Sequence, residues 1–240
     1  MTTLCLDFGN TRLKAAIFKK DVLEEVINLA DDSTTAIEEL IKKYVPVRSI
    51  LSSVINHNDS IEELLAEKTT FHKISHETII NFTTPVGKPE TIGTDRLSLI
   101  AAAVHFYPGK NNLVVALGSC ITYNFVNQYN QFLGGSITPG MDMRFRSTHE
   151  YTAKLPLIKA EWNFPLVGYD TKTNILSGVI NGITCEIDGF VGKYAEKYRN
   201  FNVVLTGGNS AYFAGLVKNK IFADSNFLFK GLYVLSETNN

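Results

Sequence analysis

Two short glycine-bearing bends, at Gly9 and Gly118, stand roughly half of the 240-residue chain apart. Around each the pattern is the same: an apolar run, a polar turn and a second apolar run. The first reads Leu4-Cys5-Leu6, then Asp7-Phe8-Gly9-Asn10-Thr11-Arg12, then Leu13 to Phe18. The second reads Leu113 to Leu117, then Gly118-Ser119, then Cys120 to Val126. Apolar runs on either side of turn residues read as strands joined by a hairpin. Identity between the halves is too low for a sequence repeat, yet the order of elements matches. A chain that starts twice in this way predicts an α/β fold of two similar halves, residues 1–112 and 113–240.

The segments between the bends supply the helices. Thr35 with Glu38, and Ser60 with Glu63, have capping-box spacing ahead of Ile37, Leu40, Ile41 and of Ile61, Leu64, Leu65, which predicts two helices. Arg48 to Val54 is a β-rich run between them, giving a β-β-α-β-α order. A further helix is expected from Asp95 through Leu97, Ile100, Ala101 and Val104, with Pro108 as its stop. Phe132 to Gly140 reads as extended. Asn174 to Tyr198 has helical periodicity but carries Gly178, Gly182, Gly189 and Gly192, each costing about 1 kcal/mol relative to alanine in an exposed helix. Close packing on the sheet, or a subunit interface through the same small residues, would compensate. A strand at Asn202–Leu205, the turn Thr206-Gly207-Gly208-Asn209 and a helix from Ser210 to about Val217 close the pattern.

Charge and cysteines narrow the class. Lys and Arg number 23 against 24 Asp and Glu, for a net charge of -1, so no long-range field favours nucleic acid or an anionic membrane. A small molecule or a protein is the expected partner. Cys5, Cys120 and Cys185 are too few and too scattered for a disulfide framework or a zinc site. The N-terminus meets Asp7 before an export signal could form, and the Leu113–Val126 run is broken by Gly118, Ser119, Thr122 and Asn124. A cytoplasmic protein without a membrane span is expected.

The turn after Asp7 combines a carboxylate, a glycine that lets backbone approach a ligand and two side chains able to bond phosphate oxygens. It can hold a Mg²⁺-nucleotide, with Asp7 on the metal directly or through water. It can equally be a hairpin whose Asp and Asn stabilise their own backbone. Gly118-Ser119 is the matching turn of the second half, and Gly207-Gly208 suits close approach of a nucleoside. Asp95, opening a helix, is a candidate to accept a proton from an attacking hydroxyl. A simple helix-capping role fits it too.

Five segments in register, Leu6–Arg12, Pro89–Arg96, Gly134–Gly140, Asp170–Gly178 and Leu205–Gly208, give a closer match. In them the chain resembles type III pantothenate kinases over nearly its full length, within the acetate and sugar kinase, Hsp70 and actin superfamily. The resemblance implies two RNase-H-like (actin-like ATPase) domains with a nucleotide cleft between them, ATP-dependent phosphorylation of pantothenate as the first step of coenzyme A synthesis, and a homodimer. It implies ATP contacts at Asp7, Phe8, Gly9, Asn10, Thr11, Arg12, Leu13, Lys14 and Ser119, with Gly207 and Gly208 at the adenosine. Pantothenate falls to Gly93, Thr94, Asp95, Arg96 and Thr171, with Asp95 as proton acceptor and Arg96 able to fork onto the substrate carboxylate.

Three positions depart from the family pattern. Val86 stands where a tyrosine usually lines the pantothenate pocket. Ser119 replaces a threonine and keeps the hydroxyl. Ala116 replaces an aspartate that ligates K⁺ or NH₄⁺, so a monovalent-cation site would need backbone oxygens, Asp142 or another group. These losses motivate an alternative: a non-catalytic, nucleotide-binding regulator resembling an accessory transcription factor. The absence of a basic cluster speaks against DNA contact. A sugar kinase of the same superfamily is a third reading, disfavoured by the short chain.

Overall fold

The structure is a computed structural model and describes residues 1–85 and 87–239. The chain forms two compact units, the first comprising residues 1–109, 126–134 and 226–240, the second residues 110–125 and 135–225.

The first unit is built on a five-stranded sheet of β1 (Thr2–Phe8), β2 (Leu13–Lys19), β3 (Val22–Leu29), β4 (Arg48–Ser53) and β5 (Thr70–Lys73). Their order is β3-β2-β1-β4-β5. The first three strands are antiparallel, whereas β4 and β5 run parallel to β1. Parallel neighbours need helical crossovers, and α1 (Thr34–Tyr44) and α2 (Ser60–Lys68) supply them. Leu4, Leu6 and Phe8 of β1 pack with Ile37 and Leu40 of α1 and with Ile61 and Leu65 of α2 in one cluster. The C-terminal helix α7 (Phe227–Asn239) packs on β1, on β4 and on α3 (Thr94–Phe106). There Phe18 stacks on Tyr233 and Arg48 pairs with Glu237. Gly231 makes the α3–α7 approach possible: a Cβ there would lie 1.8 Å from the Ser98 carbonyl oxygen.

The second unit repeats the plan with β6 (Asn111–Leu117), β7 (Cys120–Val126), β8 (Phe132–Pro139), β9 (Phe201–Gly207) and β10 (Phe222–Ala223), in the order β10-β9-β6-β7-β8. Helices α4 (Met141–Glu150) and α5 (Thr171–Lys197) cover one face. Leu113, Val115 and Leu117 of β6 pack there against Phe145 of α4 and Ile180, Ile183 and Ile187 of α5. Asp170 and Thr173 form a capping box at the start of α5. A short helix, α6 (Ser210–Ala214), follows β9. By length and composition α5 is the one described helix able to cross a bilayer, but its apolar stripe is part of this core.

Several sequence expectations are corrected. The chain does not divide once at 112/113: the β7–β8 turn belongs to the first unit, where Thr83 bonds the backbone of Asn130 and Phe132, and α7 returns to it as well. Edge strands β3 and β5, and helices α4 and α7, are additional to the expected order. α1 is capped by Ser33, whose side chain accepts from the Ala36 N–H, rather than by Thr35. α2 begins after Asp59, with no side-chain cap. α6 is shorter than expected. The four glycines of α5 do not mark close packing, because nothing lies within 4 Å of an added Cβ at Gly178, Gly182, Gly189 or Gly192.

Candidate active site

β1 delivers Asp7 to the carboxyl end of the first sheet, where it pairs with Lys14 on β2 and with Ser52 on β4. The turn beyond it is closed by Gly9 N–H donating to Arg12 O at 3.1 Å. A concavity of about 450 Å³ opens along Gly9–Leu13, walled by Asn28–Ala30 and Ile55. Thus Gly9, Asn10, Thr11, Arg12 and Leu13 line one hollow, with Asp7, Phe8 and Lys14 on the strands that support it.

α3 starts beside this sheet end. Thr94 Oγ1 lies 2.9 Å from Ser52 Oγ and donates to Ser53 O at 3.3 Å, which ties the first residue of the helix to the strand beside Asp7. Gly93 is the N-cap, with φ -57° and ψ 140°. A Cβ on Gly93 would lie 2.5 Å from Asp95 Oδ1, so glycine leaves the carboxylate its place. Burial raises the Asp95 carboxyl above its usual range, against backbone N–H bonds and the Arg96 charge that pull the other way. Burial likewise lowers Arg96, whose guanidinium lies 5.4 Å from the Phe132 ring centroid, within cation–π range.

Asp7 is the most perturbed member. Burial, then the charge of Asp95, push its carboxyl up to about 7, with Lys14 opposing. Two buried carboxylates that sense one another are what a hard cation would neutralise. Magnesium usually takes one or two carboxylates and keeps several waters, and the Asp7 carboxylate fits that donor set. Among the described residues no group of three or more His, Cys, Asp or Glu side chains could enclose a metal.

In the second unit, Gly118-Ser119 bends between β6 and β7, and Gly140 N–H donates to Ser119 O at 3.0 Å. A Cβ on Gly140 would lie 2.3 Å from Gly118 O. Arg144 Nε braces the same corner by donating to Pro139 O, while its Nη2 pairs with Glu186. Ala116 and Leu117 pair with Thr206 and Gly207 on β9, which brings the Ser119 bend and the Gly207-Gly208 bend to adjoining strand ends. Gly207 holds φ +95°, and its Cβ would lie 2.4 Å from Leu117 O. Thr206 Oγ1 is the one buried side-chain polar atom among the described residues without a hydrogen-bond partner. Thr171 is the exposed first residue of α5. Asp142, the substitute considered for a cation, is exposed on α4, and Ala116 brings no side-chain oxygen. Val86 lies outside the described residues.

Sequence reasoning missed Ser52, Ser53 and His57. The signal available for the first two was a serine pair at the carboxyl end of a strand, the position where open α/β sheets bind ligands. His57 had none.

A family model described as type III pantothenate kinase matches residues 3–193. The chain is 40% identical to a type III pantothenate kinase of Christiangramia forsetii, covering 98% of both chains. It is 38% identical to one of Flavobacterium johnsoniae over 95% of both, and 36% identical to one of Bacteroides fragilis over 99% of this chain and 98% of the other. In fold it is similar to a Baf family protein of Campylobacter jejuni, with TM-score 0.63, 19% identity and 98% of both chains covered. A ROK family protein of Streptococcus pneumoniae gives TM-score 0.53 at 11% identity, over 98% and 97% of the two chains.

Proposed function

The chain belongs to the type III pantothenate kinase family, whose members use ATP to phosphorylate pantothenate, and from that premise we propose which residues perform the transfer. The observation that carries the reading is that Asp7 pairs with Ser52 on β4, whose hydroxyl lies 2.9 Å from Oγ1 of Thr94, the residue before Asp95.

Asp95 accepts the proton of the pantothenate primary hydroxyl as that oxygen attacks the γ-phosphorus. Burial raises its carboxyl above the usual range, which makes its carboxylate a stronger base. Arg96 binds the pantothenate carboxylate through its planar fork, with Gly93, Thr94 and Thr171 contributing to the same substrate. Backbone N–H groups and side chains of the Asp7–Lys14 segment hold the ATP phosphates, and Lys14 adds positive charge there. In the second unit Ser119 contacts the nucleotide, and Gly207 and Gly208 let backbone approach the nucleoside. Asp7 holds Mg²⁺, which when bound neutralises phosphate charge. Phosphoryl transfer needs positioning and charge neutralisation above all, and this set supplies both. The non-catalytic alternative is not favoured, because Asp7, Asp95 and Arg96 are all retained.

The finer expectations follow the same reading. The protein works in the cytoplasm, and any K⁺ or NH₄⁺ it uses is held by backbone oxygens or another group, since Ala116 offers no side-chain ligand. It forms a homodimer through the outward face of α5. Support comes from Gly178, Gly182 and Gly189, open on that face, and from exposed Leu166, Val167 and Tyr169 just before the helix. Pure protein with Mg-ATP and pantothenate is expected to release phosphopantothenate and ADP, and Asp95→Asn to abolish turnover with little loss of ATP affinity. Wild-type turnover in Asp95→Asn would remove Asp95 from the mechanism.

A further inference from the structure

The β1 end that carries Asp7 and the α3 start that carries Asp95 are tied through β4. The serine pair Ser52-Ser53 grips Thr94, the residue before Asp95. Ser53 is itself held from behind by His57, whose Nδ1 lies 2.9 Å from Ser53 Oγ. The His57 side chain is only 4% exposed, and its ring meets Phe8 edge-on with centroids 5.4 Å apart. Phe8 directly precedes Gly9 of the phosphate turn. One imidazole therefore touches the strand that carries Asp7 and, through one serine, the helix start that carries Asp95.

Both ring nitrogens of His57 have partners. Burial raises the Glu62 carboxyl, but the bonds from Lys73 and His57 outweigh it and leave the group below its usual range. Glu62 Oε1 therefore accepts, at 2.6 Å from Lys73 Nζ and 2.9 Å from His57 Nε2. His57 Nε2 must donate, which leaves Nδ1 to engage Ser53 Oγ. The hydroxyl has one proton to give, to His57 Nδ1 or to Ile55 O 3.0 Å away, and Ile55 walls the hollow along the phosphate turn. Lys73, Glu62, His57 and Ser53 form a continuous bonded chain from β5 and α2 to the carboxyl end of β4.

We propose that His57 is a positioning residue for the transfer, fixing Ser53 and through it the Thr94-Asp95 corner of α3 beside Asp7. The proposal rests on Asp95 being the proton acceptor. A buried histidine that merely fills space would support stability alone, whereas this one acts on turnover.

The test compares His57→Leu, which keeps an apolar body against Phe8 and loses both bonds, with His57→Asn, which keeps a group able to bond Ser53 Oγ. Ser53→Ala and Asp95→Asn complete the set. For each, kcat, KM for ATP, KM for pantothenate and Tm are measured. Displacement of a reacting group by about 1 Å can cost about 100-fold, so kcat in His57→Leu and Ser53→Ala should fall at least about tenfold with both KM values held. His57→Asn should recover part of kcat even where its Tm is the lower of the two. A space-filling role gives the opposite order, with leucine at least as active as asparagine. The proposal is overturned if folded His57→Leu, or Ser53→Ala should the leucine variant not fold, turns over like wild type while Asp95→Asn is inactive. Turnover retained by Asp95→Asn would instead sink the assignment of the proton acceptor.

Discussion

Asp7 at the end of β1 and Asp95 in the first turn of α3 share one buried corner, and the charge of Asp95 helps lift the Asp7 carboxyl to about 7. A cation can bind there only once Asp7 has lost its proton. Mg-ATP affinity is therefore expected to weaken as pH falls from 8 to 6, with proton release on binding. Titration calorimetry in buffers of different ionisation enthalpy reads both quantities, and a pH-independent affinity without proton release would contradict the role given to Asp7.

The same shift has a consequence for stability, with a definite sign. A carboxyl whose folded pKa is raised binds more protons in the native state, so stability falls as pH rises between the unfolded value of 3.8 and about 7. Without metal or nucleotide, Asp7→Asn should be more stable than wild type at pH 8, on the order of a few kcal/mol, and should lose that advantage near pH 4. Denaturant melts at the two pH values decide it, and equal stabilities at pH 8 would show that Asp7 is not charged at a cost.

Gly93→Ala separates positioning from folding. The new Cβ would meet Asp95 Oδ1 at 2.5 Å; that oxygen ends a flexible side chain that can swing aside, and φ at Gly93 is -57°, open to alanine. Stability should hold while kcat falls about tenfold or more, since the displaced group is the one whose placement matters. Gly207→Ala makes the contrast: φ +95° and a backbone oxygen at 2.4 Å leave no such escape, so Tm itself should drop. Unchanged kcat in Gly93→Ala would argue against Asp95 as the base.

What the sequence reveals follows from which interactions are local. The Asp7 turn is legible because Gly9 and Asn10 break an apolar run sharply, and α3 because Asp95 and Pro108 bracket it. The doubled start is legible from Gly9 and Gly118. β3 hides behind Glu24-Glu25, since a strand with little burial shows no apolar alternation. α4 buries only Met141 and Phe145, too narrow a stripe to detect. The return of α7 to the first unit depends on Gly231 meeting Ser98, a contact no local pattern encodes. His57 escaped notice for the same reason: its partners Phe8, Ser53 and Glu62 come from two strands and a helix.

The glycines of α5 offer a prediction with opposite signs under two readings. If the Gly182 face is open to solvent, Gly182→Ala should stabilise the helix by about 1 kcal/mol and leave mass unchanged. If a second copy packs there, the added methyl disrupts close contact and the dimer weakens. Light scattering over a dilution series is expected to show the variant dissociating at higher concentration than wild type. A more stable variant of unchanged mass would remove α5 from the interface.

Ala116 sets the expectation for monovalent cations. It pairs with Thr206 across β6 and β9, and Thr206 Oγ1 is a buried hydroxyl lacking a partner among the described residues. A methyl supplies no ligand, and one neutral hydroxyl replaces only a small part of a cation's hydration shell. Turnover should therefore be equal in potassium, ammonium and choline chloride at one ionic strength. Ala116→Asp would add a carboxylate beside Thr206, and that charge would need a counter-ion. The variant is expected to melt lower than wild type in choline chloride and to regain Tm selectively in potassium chloride, whereas wild-type Tm should not distinguish the salts. Potassium-dependent turnover in the wild type would mean that backbone oxygens or a group other than residue 116 complete a cation site.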